Sequence, residues 1–86
     1  MTNNKNLRYT MDMKSSANLK SQQKFGDNLK EVRISKKLSQ EAVAKASGIS
    51  VTYYAGIERG EENPTFAVIE SICIALKIKS SEVLPF

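Results

Sequence analysis

Residues 38–60, LSQEAVAKASGISVTYYAGIERG, decide how this chain folds. Ser39 is a good helix N-cap, because a serine hydroxyl accepts from a backbone N–H of the first turn, and Gln40 and Glu41 follow it as first-turn residues. Val43, Ala44 and Ala46 line the inner side of the helix so started. Gly48 ends it, since glycine takes a positive φ at no steric cost and lets the chain reverse within three or four residues. Ser50 then caps another helix, predicted over about Val51 to Arg59, whose Tyr54 and Ile57 fall inward at i and i+3 and which stops at Gly60.

Working outward, Phe25, Leu29 and Val32 at i, i+4 and i+7 predict a preceding helix that runs to about Lys37. Downstream, Pro64 reopens the chain and Thr65 caps a fourth helix whose inner face is predicted to carry Phe66, Ile69, Ile72, Cys73 and Leu76. A short fifth helix is predicted from Ser80, with Glu82 near its positive end. Five helices without a strand signal make an all-α fold, a compact five-helix domain over residues 25–86. Residues 1–24 are rich in Asn, Lys, Ser and Gln with scattered apolar sites. They read as a flexible basic arm with transient helix near its end, either a solvated terminus or an arm that tracks phosphates.

At 86 residues the chain has room for one domain, and 41% hydrophobic with 26% charged residues is the composition of a soluble globular protein. No apolar run approaches the roughly 20 residues of a membrane helix, and no signal-peptide pattern follows Lys5 and Arg8, so the expectation is a cytoplasmic protein with no membrane partner. The net charge of +4 sits in the arm: residues 1–24 hold five basic residues against Asp12, whereas from residue 25 eight basic meet eight acidic residues. High pI alone is therefore weak evidence for nucleic-acid binding. The chain has no histidine, and its single cysteine, Cys73, lies in the apolar run IESICIAL and reads as a core residue. No metal site, cofactor or catalytic constellation is expected, and nothing marks a small-molecule effector site.

Two helices held at a steep angle by a short turn let one lie across the DNA backbone while the other enters the major groove. Such a pair needs a small residue at the crossing, a glycine in the turn and apolar anchors behind the reading helix. Ala44, Gly48, Ile49 and Ile57 supply these.

With FGDNLKEVR, LSQEAVAKASGIS, TYYAGIERG and NPTFAVIESICIALKI in place, residues 25–84 resemble the Cro and phage-repressor type (XRE-like) helix-turn-helix domains. TY followed by GIERG and the NPT turn are especially similar to the small controller proteins of restriction-modification systems. The resemblance implies a sequence-specific transcription regulator that binds double-stranded DNA and is not an enzyme. Gln40 matches the family's phosphate-contacting glutamine, helped by the positive helix end at which it sits. Ser50, Val51, Thr52, Tyr53 and Ala55 fall where bases and adjoining phosphates are contacted, and Arg59 is placed to reach a phosphate. Lys36, Lys37 and Lys45 are either further phosphate contacts or simply solvated charges. Arg33 and Glu58 match a structural ion pair that ties the first helix to the third.

Three departures stand out. Val51 replaces the Arg or Gln common in relatives, removing a bidentate base reader. Glu61 and Glu62 put negative charge in the turn after the third helix, where it would oppose phosphate contact. Lys37 stands where relatives commonly have glycine.

One such domain covers about one half-site, so a homodimer on a near-palindromic operator is expected. Ile74, Val83, Leu84 and Phe86 are the candidate interface residues; some of them must cover the core, and Ile74 and Phe86 are foremost for the interface. The rival reading is an antitoxin-type module that holds a protein partner and binds DNA secondarily.

Overall fold

The computed structural model describes residues 16–86, with side chains from Leu19 onward, and contains four α-helices followed by a single 3-10 turn. They are α1 (Ser16–Ser35), α2 (Gln40–Ser47), α3 (Val51–Glu58), α4 (Phe66–Leu76) and the 3-10 turn Ser80–Glu82. Among the described residues there is no strand, and no helix is long and apolar enough to cross a membrane.

Each predicted cap is made. Ser39 accepts from Ala42 N at 3.0 Å, Ser50 from Tyr53 N at 3.0 Å and Thr65 from Val68 N at 3.2 Å. Each satisfies one of the backbone donors that a helix start leaves without an intrahelical partner. Gly48 closes α2 at φ 75°. Its N–H bonds to Lys45 O at 3.2 Å, and Ile49 N bonds to Ala44 O at 3.1 Å, so the chain reverses straight into the Ser50 cap.

The core is built from one stripe on each helix. Phe25 and Leu29 of α1, Val43 and Ala44 of α2, Tyr54 and Ile57 of α3, and Ile72, Cys73 and Leu76 of α4 are all buried. α2 packs against both α3 and α4, and α1 packs against α3. Cys73 lies among the core residues as a free thiol, which burial pushes up.

Four expectations are corrected. The helix expected to start at Phe25 starts at Ser16. SANLKSQQK has no apolar period to announce a helix, but it is composed largely of good helix formers. It is also held by tertiary contact: Gln22 Nε2 donates to Glu62 O at 3.0 Å. Residues 1–15 of the expected arm lie outside the described residues.

The fifth helix is only the 3-10 turn. Its chain is set off from α4 by Lys77 in the left-handed region and meets Pro85 three residues after Glu82, leaving space only for Val83 N and Leu84 N to reach Ser80 O at 3.0 and 2.8 Å. Glu82 Oε2 accepts from Lys79 N at 3.1 Å at the start of this turn.

Phe66, expected inside, is 86% exposed, because as the first residue of α4 it turns away from the core. Val83, expected at a partner interface, is wholly buried, and its carbonyl accepts from Asn28 Nδ2 of α1 at 2.8 Å.

Candidate nucleic-acid interface

α3 is fixed from behind by one carboxylate. Glu58, at its last turn, is buried and receives Arg33 Nε at 2.6 Å and Arg33 Nη2 at 3.1 Å, a two-pronged pair of the kind a planar guanidinium makes with a carboxylate. Gln40 Nε2, at the first position of α2, donates to Glu58 Oε1 at 2.9 Å. Arg33 Nη1 donates to Leu38 O at 2.9 Å and so also clasps the turn between α1 and α2. Three helices and one turn thus converge on Glu58.

Burial pushes the Glu58 carboxyl up, but the charged hydrogen bonds from Arg33, with Tyr54 and Gln40 beside them, prevail and hold it below the ordinary carboxylate range. Tyr54 stands close enough to the pair to feel its charges, yet its hydroxyl is buried and meets no hydrogen-bond geometry. Burial, more than the neighbouring carboxylate, holds that phenol far above its usual range.

The expected contact residues divide into groups. Val51, Thr52, Ala55 and Arg59 follow one another along a single strip of α3 and its C-cap, exposed except for the half-buried Ala55. Ser50 adjoins the strip, with its oxygen used in the cap. Tyr53 stands off the strip, half-buried against the core. Arg59 is exposed and paired with Glu61 at 3.0 Å, an exchangeable contact because both side chains are open to solvent. Lys36, in the turn after α1, and Lys45, on α2, are exposed.

Gln40 is where the interface differs most from a reading of sequence alone. Its amide is anchored by one N–H to Glu58, and an amide nitrogen carries two. Gln40 also stands at the first position of α2, the helix end at which an anion is favoured. The eighteen-residue spacing from Gln40 to Glu58 carries no local signal for this bond.

Two contacts at glycines were also silent in the sequence. A methyl group on Gly26 of α1 would lie 2.5 Å from the carbonyl oxygens of both Ile57 and Glu58, so the two helices cross in backbone contact. A methyl group on Gly56 of α3 would lie 2.9 Å from Glu62 Cγ and 3.4 Å from Glu62 Oε2, so the Glu62 side chain lies over the helix at Gly56.

Residues 29–83 match the Helix-turn-helix family. The chain belongs to that family. It is 38% identical over 61 residues to the uncharacterized HTH-type transcriptional regulator YazB of Bacillus subtilis, spanning 71% of this chain and 88% of the relative. It is 36% identical over 63 residues to the control protein C.BamHI of Bacillus amyloliquefaciens, spanning 72% and 78%. Among solved structures, the restriction-modification controller protein C.AhdI of Aeromonas hydrophila superposes with a TM-score of 0.72 at 40% identity, covering 79% of this chain and 98% of that one. This helix-turn-helix protein is a DNA-binding transcription regulator, and α2 and α3, joined by the short turn at Gly48, are its closely paired helices.

Proposed function

We propose that the protein acts as a homodimer on a near-palindromic operator, in the manner of a controller of a restriction-modification system. The observation that carries this reading is the open strip Val51–Thr52–Ala55–Arg59 on a helix whose opposite side is locked by Glu58 to Arg33 and Gln40. A rigid helix with a solvent-facing strip is what major-groove entry requires, and Gln40 with the start of α2 supplies a phosphate anchor beside it.

The dimer reading is supported by the outer face of α4 and the C-terminal end. Phe66, Ile74 and Phe86 are 86%, 70% and 90% exposed, a concentration of large apolar surface that a partner copy would cover. Leu84 lies beside them, half-buried against the core. The match to this chain spans 78% of the length of the control protein C.BamHI and 98% of that of the controller protein C.AhdI.

Selection of bound sequences from random double-stranded DNA, followed by a salt titration on the winner, tests this function. The expected result is a two-fold motif whose half-sites lie about one helical turn apart. A binding curve that merely weakens with salt, with no sequence enriched, would remove the specific-regulator reading.

A further inference from the structure

We propose that Glu62, a loop residue outside α3, reads a base: its carboxylate accepts a hydrogen bond from the exocyclic amine of a cytosine at one position of each half-site. The inference rests on the proposal that α3 enters the major groove.

Gly56 follows Thr52 by one helical turn, at the margin of the exposed strip, and has no side chain of its own to offer. The Glu62 side chain occupies that space, with Cγ and Oε2 at 2.9 and 3.4 Å from where a Gly56 methyl would stand. An acidic group is thereby laid along the reading helix.

The loop that carries it is held at several points. Gln22 Nε2 donates to Glu62 O at 3.0 Å, and Glu61 N donates to Gly56 O at 2.9 Å. Gly60 packs on α1 so closely that a methyl there would be 2.7 Å from Gln23 Cγ. The early start of α1 is what makes both of its contacts with the loop possible, through Gln22 and Gln23.

Charge then selects the target. Arg59 forms its salt bridge with Glu61 and feels Glu62 only from farther off, so Glu62 brings a further negative charge to the turn that phosphates repel. The groups in the major groove that welcome a carboxylate are base amines, and cytosine N4 is the one a Glu accepts from. The absence of a bidentate reader at Val51 leaves this contact a large share of the direct readout.

The test is parallel selection from random duplex DNA with the full-length wild type and the Glu62→Ala, Glu62→Gln and Gly56→Ala variants, each first checked for an unchanged thermal midpoint. The wild-type motif is expected to contain one cytosine per half-site favoured about tenfold. Glu62→Ala should level that position alone, and Glu62→Gln should move it toward adenine, which glutamine contacts bidentately. Gly56→Ala, whose methyl displaces the Glu62 side chain, should weaken preference at the same position with Glu62 intact. A wild-type motif that every variant reproduces, with Glu62→Ala binding all sequences equally more tightly, would overturn the proposal by showing only phosphate repulsion, and would leave the regulator reading standing. Failure to enrich any motif would overturn both.

Discussion

The Cα of Gly26 in α1 rests against the backbone of Glu58 in α3, so tightly that the smallest side chain has no room. Alanine would gain about 1 kcal/mol in helix propensity at an ordinary interior position. Here its methyl would meet two carbonyl oxygens at 2.5 Å, and backbone cannot step aside as a side chain would. Gly26→Ala is therefore expected to destabilise by about 2 kcal/mol or more through overpacking. Urea denaturation reads this as a lower midpoint at unchanged slope. An unchanged or raised midpoint would mean that the crossing is looser than described.

Removal of Arg33 leaves a buried carboxylate without its cation. Arg33→Met should cost about 3–5 kcal/mol, whereas the double replacement Arg33→Met/Glu58→Leu should recover much of the loss, because no charge then remains to be solvated. Equal losses in the single and double variants would show that packing, and not charge, sets the cost.

The same pair gives stability a pH dependence. The Glu58 carboxyl is held below its ordinary range in the folded protein, so the unfolded chain takes up its proton first as pH falls. Its contribution is complete above the unfolded value of about 4.3 and is lost as pH drops from there through the depressed folded value. A Glu58→Gln variant should be less stable at neutral pH and should show a shallower loss on acidification. Parallel acid profiles for the two proteins would place the acid-sensitive group elsewhere.

Lys77 ends α4 at φ 59°, in the left-handed region that β-carbons resist. Glycine there should raise stability by about 0.5–1 kcal/mol, the relief of strain exceeding the entropy added to the unfolded chain. Lys37 shares the φ of 59°, and glycine should stabilise it similarly. Thermal midpoints of the two variants check this directly, and a fall in either would identify a contact made by that lysine.

Ile74 is exposed and caps nothing in the core, so Ile74→Asp should leave the fold intact. In a dimer formed through α4 it would bury a charge, weakening self-association at least about tenfold. Sedimentation over a range of protein concentrations measures the shift. A wild type that stays monomeric, or a variant that dimerises as well as the wild type, would move the interface off this face.

The framework was readable because its signals are local. Ser39, Gly48, Ser50 and Thr65 each act on backbone within a turn of themselves, and their chemistry appears in the sequence next to its effect. The pairing of Arg33 with Glu58 came from resemblance, since no local rule joins residues twenty-five apart. What stayed hidden depends on tertiary contact: the backbone crossing at Gly26, the bond from Gln40 to Glu58, and the Gln22 bond that holds the polar start of α1. Phe66 and Val83 were misplaced because apolar character alone cannot say which of two nearby apolar positions the core accepts. For the exposed strip of α3, sequence named Val51, Thr52, Tyr53 and Ala55 together and Arg59 apart from them, whereas Tyr53 is half-buried against the core and Arg59 lies in line with the others.

The contacts of Arg33 with Glu58 lie on the side of α3 away from its exposed strip. Val51 and Thr52 lie on the exposed strip of α3 and outside the buried core. On the proposed function, their replacement would retarget the regulator with little change in melting behaviour, so new operator preferences would be open to descendants of this chain by single mutational steps.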